Sequence, residues 1–298
     1  MRITLTLVAP QGHAISTEVL GAAMTAIGQK SDPTWIEPDL ACDFYIDNPA
    51  HETTVRLRRD LSLAFTGFTV DWAVQPDTRR RKQLLVSDMD STIIGQECVD
   101  EIAEFAGVRD EVSRITERAM AGELDFEQAL IERVALLEGL DEAALGQIMA
   151  ERITLNPGAA TLVATMRKHG AYTLLVSGGF TFCAREVSHR ARFDAFKANR
   201  LIVEEGKVTG HVAKPILGRE AKLGHLLAAC SRIGLNPDDA VGLGDGANDL
   251  ALIENAGLGI AYRAKPILAE KSDGRIDHTD LTTALYFQGY RRSDFATI

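Results

Sequence analysis

Residues 84–97 read LLVSDMDSTIIGQE. A short apolar run leads into two aspartates, Asp88 and Asp90, one residue apart and followed by Ser91 and Thr92. Carboxylates that close repel each other unless a cation or a shared proton intervenes. Two further apolar runs end on polar groups. AYTLLVSGG stops on Ser177, Gly178 and Gly179, and AVGLGDG stops on Asp245. Oxygen ligands with no companion Cys or His favour Mg²⁺ over zinc. Asp88 and Asp245 can each supply one oxygen, and a backbone carbonyl near Asp90 a third. The hydroxyl of Ser177 and the backbone N–H groups after it form an anion site if a helix starts there.

These residues meet only if the chain carries them to one place. QLLVSD, AYTLLVSGG, DDAVGLGDG and GLGIAY are short apolar runs, each followed by a turn or helix. That alternation predicts an α/β fold with a parallel sheet covered on both faces. In such sheets the site lies beyond the carboxyl ends of the strands, which would gather Asp88, Asp90, Ser177 and Asp245 in one crevice. Residues from about 97 to 154 contain no strand-like run and read as helices, an insertion after the first core strand. NRLIVEEGKVTGHV, at 199–212, reads as a hairpin with a Glu-Gly turn. Residues 1–80 read as a separate small α+β domain, and residues 83–298 as the core. DTRRRK, at 77–82, reads as a solvated linker between them.

The chain has 298 residues, of which 46% are hydrophobic and 25% charged, an ordinary balance for a globular protein. Its net charge of -10, from 42 acidic and 32 basic residues, argues against nucleic acid or an anionic membrane as the main partner. A small anionic substrate stays open, because a pocket can be locally positive. The N-terminus reads as a strand and no apolar run is long enough to span a bilayer, so the expected location is cytoplasmic. The four cysteines are far apart with no CxxC and are expected to be buried thiols. GLGDGAN lacks the third glycine of a dinucleotide-binding loop.

DMDST (88–92), SGG (177–179), Lys222 and GDGAND (244–249) resemble, in order and spacing, the four motifs of the haloacid dehalogenase (HAD) superfamily of phosphotransferases. More narrowly, DMDSTIIGQECVDEIA, ITERAMAGELDFEQAL, LVSGGF and GDGANDL are similar to the phosphoserine phosphatase family, over roughly residues 83–290. The resemblance implies a Rossmann-like core with a helical cap, a Mg²⁺ cofactor and a phosphate monoester of serine as substrate. It makes Asp88 the nucleophile that forms an aspartyl phosphate. Asp90 becomes the acid that protonates the leaving oxygen and then the base that activates water. Thr92, Ser177, the Gly178 N–H and Lys222 would hold the phosphoryl oxygens. Asp245 would complete a metal site with Asp88 and Asp90. Asn248 would contact substrate or phosphate, and Asp249 would orient Lys222 or a metal-bound water. Some relatives carry a regulatory region of the small-molecule-binding ACT type, so residues 1–80 are expected to regulate or to form a homodimer. The rival expectation is a phosphatase or phosphotransferase of the same superfamily acting on another small phosphomonoester.

The insertion must then supply specificity. Asp125 and Gln128 form a capping-box pattern. In the helix they open, Phe126, Leu130, Arg133 and Leu137 fall on one face, apolar except for the arginine. From the sequence alone, Arg133 serves equally as a snorkelling side chain, an internal ion pair or a ligand for an anion. The family resemblance assigns Glu97 to the amine of the substrate and Arg133 to its carboxylate, with Met120 and Phe126 walling the pocket.

Overall fold

The structure, a computed structural model, describes residues 2–47, 51–218 and 220–298, with the side chains of all these except residues 51–53 and Met120. Among the described residues there are twelve strands: β1 (Arg2–Val8), β2 (Thr34–Glu37), β3 (Ala41–Asp47), β4 (Asp71–Pro76), β5 (Leu84–Ser87), β6 (Tyr172–Phe180), β7 (Ala195–Asn199), β8 (Leu201–Glu204), β9 (Lys207–Val212), β10 (Ala240–Gly244), β11 (Leu258–Tyr262) and β12 (Gly274–Ile276). Ten of them make one sheet, in the order β2-β3-β1-β4-β12-β11-β10-β5-β6-β7. From β12 to β7 the neighbours run parallel. Their apolar sequences follow from this, since both faces are covered: β5, β10 and β11 are buried at every residue.

The N-terminal strands pair antiparallel and join this sheet through β4 against β12. The first 80 residues therefore have their own apolar cluster, built on Leu5, Phe44, Leu61 and Trp72, but not their own sheet. The seam is tight. A Cβ on Gly274 would stand 2.7 Å from that of Ala73, so only glycine lets the two strands meet.

The basic run 77–82 is only in part the solvated linker that its composition suggests: Thr78, Arg79 and Arg81 are exposed, but Arg80 and Lys82 are not. Arg80 packs inward and donates to both carboxylate oxygens of the buried Asp43, at 2.7 and 3.0 Å, to Thr6 Oγ1 and to the carbonyl of Phe287. Lys82 is buried and donates to the Asp238 carbonyl. Charge density gave the expectation; the sheet junction supplies acceptors that composition cannot reveal.

Between β5 and β6 the chain leaves the sheet to form the expected cap of four helices, Cys98–Ala106, Arg109–Met120, Phe126–Ala135 and Glu142–Glu151. The capping box is present, with the Gln128 N–H on Asp125 Oδ1 at 2.8 Å and the Asp125 N–H on Gln128 Oε1 at 3.0 Å. The two ends of the insertion are tied together, because Asn156 donates to the carbonyls of Thr92 and Ile93. The β8–β9 hairpin turns at Glu205 and Gly206, both at positive φ, as the Glu-Gly turn predicts. Its outer strand then bonds the cap: the Gly139 N–H meets the Val208 carbonyl at 2.8 Å, and the Val208 N–H meets the Leu140 carbonyl at 2.9 Å. All four cysteines are buried free thiols. Among the described residues no helix is long and apolar enough to cross a membrane.

Removing one partner of a buried ion pair leaves the other charge uncompensated, at a cost of about 3–5 kcal/mol. Arg80→Ala should therefore lower the free energy of unfolding by about 3 kcal/mol in urea titrations. A loss below about 0.5 kcal/mol, as for an ordinary surface arginine, would show that the clamp contributes nothing.

Candidate active site

β10, β5 and β6 are adjacent and parallel, and Leu243, Ser87 and Leu175 lie level across them. The residues just beyond this level therefore lie side by side, which brings Asp88 and Asp245, past the ends of β5 and β10, together with Ser177 in the last part of β6. The Asp88 N–H extends the ladder by one bond, to the Leu243 carbonyl at 2.9 Å. Here the sequence expectation of a shared crevice meets its geometry.

Asp88 is nearly inaccessible. Its Oδ1 accepts the Met89 N–H at 2.7 Å, and its Oδ2 pairs with the Lys222 ammonium at 2.6 Å. The same ammonium meets Asp249 Oδ1 at 2.5 Å. Lys222 lies in the first turn of the helix Ala221–Ile233 and is itself buried. Burial opposes its charge, but Asp88 and Asp249 outweigh burial and lift its pKa to about 12. Asp249 has no exposed surface; its Oδ2 also accepts the N–H groups of Asp245 and Gly246. A side chain on Gly244 would overlap the Asp249 carboxylate, so the glycine is required there. Of the two roles expected for Asp249, the structure shows the orienting contact with Lys222.

Carboxylate oxygens of Asp88, Asp245 and Asp249 lie within 4.8 Å of one another. Burial, then the charge of Asp88, raises the pKa of Asp245. Such crowding of hard oxygen donors suits a divalent cation. Asp249 is committed to Lys222 and two N–H groups, and Asp88 to Lys222 and the Met89 N–H, so Asp245, reached among the described residues only by the Thr92 hydroxyl at 3.5 Å, is the least engaged of the three carboxylates.

The Asp90 carboxylate points elsewhere. Its Oδ1 accepts the Cys98 N–H at 2.8 Å, at the N-terminus of the first cap helix, and its Oδ2 accepts the Ser177 hydroxyl at 3.1 Å. Burial raises its pKa to about 6; the Cys98 N–H opposes this and the charge of Asp88 adds to it. A carboxyl group tuned there can hold or release a proton near neutrality. A Cβ on Gly179 would crowd Asp90 Oδ2 at 3.2 Å, so the glycine lets the backbone pass close to the acid. Contrary to the expectation that SGG opens a helix, β6 continues through Phe180 and the helix starts at Thr181. A register irregularity between Val176 and Phe180 bends the strand around Asp90.

Asp88, Asp90 and Asp245 line one cavity of about 370 Å³ between the core and the cap, while Lys222 and Ser177 line a small adjoining pocket that shares Phe126, Gly178 and Asn248 with it. Glu97, Phe126, Leu130 and Arg133 line it from the cap side, and Gly178, Gly179, Asn248 and Asp245 from the core side. The Arg133 Nε donates to the Ala129 carbonyl of its own helix at 3.2 Å. Among the described residues no ion pair of its guanidinium is found, and the side chain lines the cavity. Burial lowers its pKa, opposed by Asp100 and then Glu97. Glu97 is water-accessible within the cavity, yet the surrounding walls and the charge of Asp90 lift its pKa to about 7. The Thr92 hydroxyl reaches Asp245 Oδ1 only at 3.5 Å. Phe126 is in place, and the Met120 side chain lies outside the described residues. Lys265 and Asp100, not singled out in the sequence, also line the cavity. Lys265 donates its backbone N–H to the Asp245 carbonyl; only its place in the AKP run after GLGIAY hinted at it.

A carboxyl group whose pKa is higher folded than unfolded binds its proton more tightly when folded, so folding weakens as the pH rises through that interval. For Glu97 the interval runs from 4.5 to about 7. In cation-free protein, Glu97→Gln should therefore raise the melting temperature at pH 8, by about 2 °C or more, and raise it much less at pH 5, near the start of that interval. Mg²⁺ should raise the wild-type melting temperature more at pH 8 than at pH 5. Equal effects at both pH values would refute this account of the cavity charge.

A family model for haloacid dehalogenase-like hydrolases matches residues 85–254. The chain is 39% identical over 247 residues to a phosphoserine phosphatase of Archaeoglobus fulgidus, covering 81% of this chain and 70% of that protein. Its fold matches a HAD family hydrolase from Salmonella enterica, with a TM-score of 0.83 at 28% identity, over 96% of this chain and 98% of the other. It is also similar to a phosphoserine phosphatase solved as a phospho-aspartyl intermediate analogue, with a TM-score of 0.64 at 41% identity, over 69% of this chain and 98% of that one. With the paired aspartates, the buried lysine and the acidic cluster all at the ends of adjacent parallel strands, the chain belongs to the haloacid dehalogenase-like hydrolases.

Proposed function

We propose that this enzyme hydrolyses O-phospho-L-serine to L-serine and phosphate through a phosphorylated Asp88. The observation that carries this reading is the division of one cavity into two ends. At one end Asp88 and Asp90, with Lys222 paired to Asp88, offer phosphoryl-transfer chemistry. At the other, Arg133 and Glu97 offer a cation and an anion matched to a carboxylate and an amine. A phosphomonoester of an amino acid fits both ends, and relatives named as phosphoserine phosphatases support the choice.

The Met89 N–H and the Lys222 ammonium fix the plane of the Asp88 carboxylate. An oxygen of Asp88 attacks phosphorus, the bond from phosphorus to the serine oxygen breaks, and Asp90 delivers its proton to that oxygen. Asp90, now ionised and held by Cys98 N–H and Ser177 Oγ–H, takes a proton from the water that opens the aspartyl phosphate. Lys222 and the Gly178 N–H would hold the phosphoryl oxygens, joined by the Ser177 hydroxyl whenever it turns from Asp90, and Asn248 borders the same space. Asp88, Asp245 and the backbone carbonyl of Asp90 would hold Mg²⁺, which screens the anionic nucleophile from the anionic phosphate. Phe126 and Leu130 close the apolar side and limit water.

Phosphate release from L-phosphoserine in Mg²⁺, abolished by EDTA, is the direct test. Asp88→Asn should reduce turnover at least about 10³-fold while circular dichroism and melting temperature show a folded protein. Appreciable residual activity in that variant would remove Asp88 as nucleophile. Arg133→Ala should lower kcat/KM for phosphoserine about 100-fold, consistent with loss of a bidentate charged contact. Its effect on p-nitrophenyl phosphate, which has no carboxylate, should be far smaller. Equal losses on both substrates would refute the assigned role of Arg133.

A further inference from the structure

Ser91 stands between Asp90 and Thr92, and its backbone has φ +53°, a left-handed conformation that a side chain other than that of glycine, asparagine or aspartate rarely adopts. The turn brings the Ser91 N–H to the Gln96 carbonyl at 3.2 Å. It also brings the Ser91 hydroxyl to Glu97 Oε1 at 2.7 Å, within the usual range of an O–H···O hydrogen bond. Glu97 occupies the N-cap position of the first cap helix, but its side chain makes no capping bond. The Asp90 carboxylate serves that helix end instead, through the Cys98 N–H. Glu97 is thus released from the helix and drawn back to the catalytic loop by Oε1, and among the described residues its Oε2 has no hydrogen bond in the cavity that the side chain lines.

We infer that Ser91 is a positioning residue for substrate selection, which fixes the Glu97 carboxylate to receive the amine of the substrate. This deepens the phosphoserine reading and rests on it. Glutamate has three side-chain torsions, and in an open cavity an untethered carboxylate would sample several positions. One hydroxyl on the loop that carries the acid Asp90 removes most of that freedom. The amine is then read by the same loop that performs the chemistry, and the strained backbone at 91 is what aims the hydroxyl.

The test compares phosphoserine with p-nitrophenyl phosphate, which has no amine, in wild type, Ser91→Ala, Ser91→Gly and Glu97→Gln. Ser91→Ala keeps the backbone demand and deletes the hydroxyl; Ser91→Gly removes both, so the pair separates strain from tethering. Both should raise KM for phosphoserine about tenfold, the scale of one charge-assisted hydrogen bond, with a much smaller change in kcat. Selectivity over p-nitrophenyl phosphate should fall by the same factor. In the Glu97→Gln background, adding Ser91→Ala should cost phosphoserine turnover little more, because the two residues act as a unit. Equal losses on both substrates, or an undiminished Ser91→Ala effect without the Glu97 carboxylate, would overturn the role. If wild type prefers phosphoserine and Ser91→Ala leaves that preference intact, this inference alone fails. If wild type is indifferent to the amine, the substrate reading falls and the inference with it.

Discussion

One ammonium held between two buried carboxylates organises this molecule. Lys222 meets Asp88 on one side and Asp249 on the other, and all three are nearly inaccessible to water. Two unit charges 4 Å apart interact by about 4 kcal/mol at the effective dielectric of a protein near its surface, so the acids could not be gathered without a cation. The lysine leaves the cluster still negative, since Asp245 stands beside it. That remainder is what a divalent ion answers, and it explains why a nucleophile can be both anionic and buried. The second pair of contacts on Asp249, from the N–H groups of Asp245 and Gly246, ties the loop after β10 to the same centre.

The architecture around this centre is a set of ways to deliver charge to one point. Parallel strands bring their carboxyl ends level, so three loops contribute without any reaching far. Asp90, one residue beyond Met89, turns away from the acidic cluster and rests at the start of the first cap helix. Its two hydrogen bonds stabilise the ionised form while burial stabilises the neutral form, and the balance lies at about 6. Proton transfer in both directions needs such a balance. The cap is therefore more than a lid, because its first N–H helps set the acidity of the catalytic acid.

The cap is also anchored at its far side. The β8–β9 hairpin bonds the cap segment beyond the helix Phe126–Ala135, and Gly210 packs against Ala135 and Glu138. Arg133 lies on that helix, so this cavity-lining side chain is braced from outside as well as by its own Ala129 carbonyl. Core and cap share one apolar cluster, which includes Met89, Ile102, Leu130 and Phe180. Packing continuous across the cavity walls favours a fixed distance between the phosphate end and the amino-acid end.

The sequence by itself determined the chemistry and most of the scaffold. Apolar runs that end on Asp88, Ser177 and Asp245 specify buried parallel strands with polar tips, because period and burial are local properties of the chain. The capping box at Asp125 and the turn at Glu205 and Gly206 were legible for the same reason. Tertiary structure decided what depends on neighbours distant along the chain. Lys222 looks like any helix lysine until two aspartates bury it, and Arg80 looks like linker until Asp43 receives it. The β4–β12 pairing that runs the N-terminal strands into the core sheet leaves only a glycine as its trace. The bond from Ser91 to Glu97 lies within seven residues of sequence, yet it needs a left-handed turn that no residue type there announces. Sequence patterns record what each segment must bury; only the folded chain reveals which charges end up facing one another.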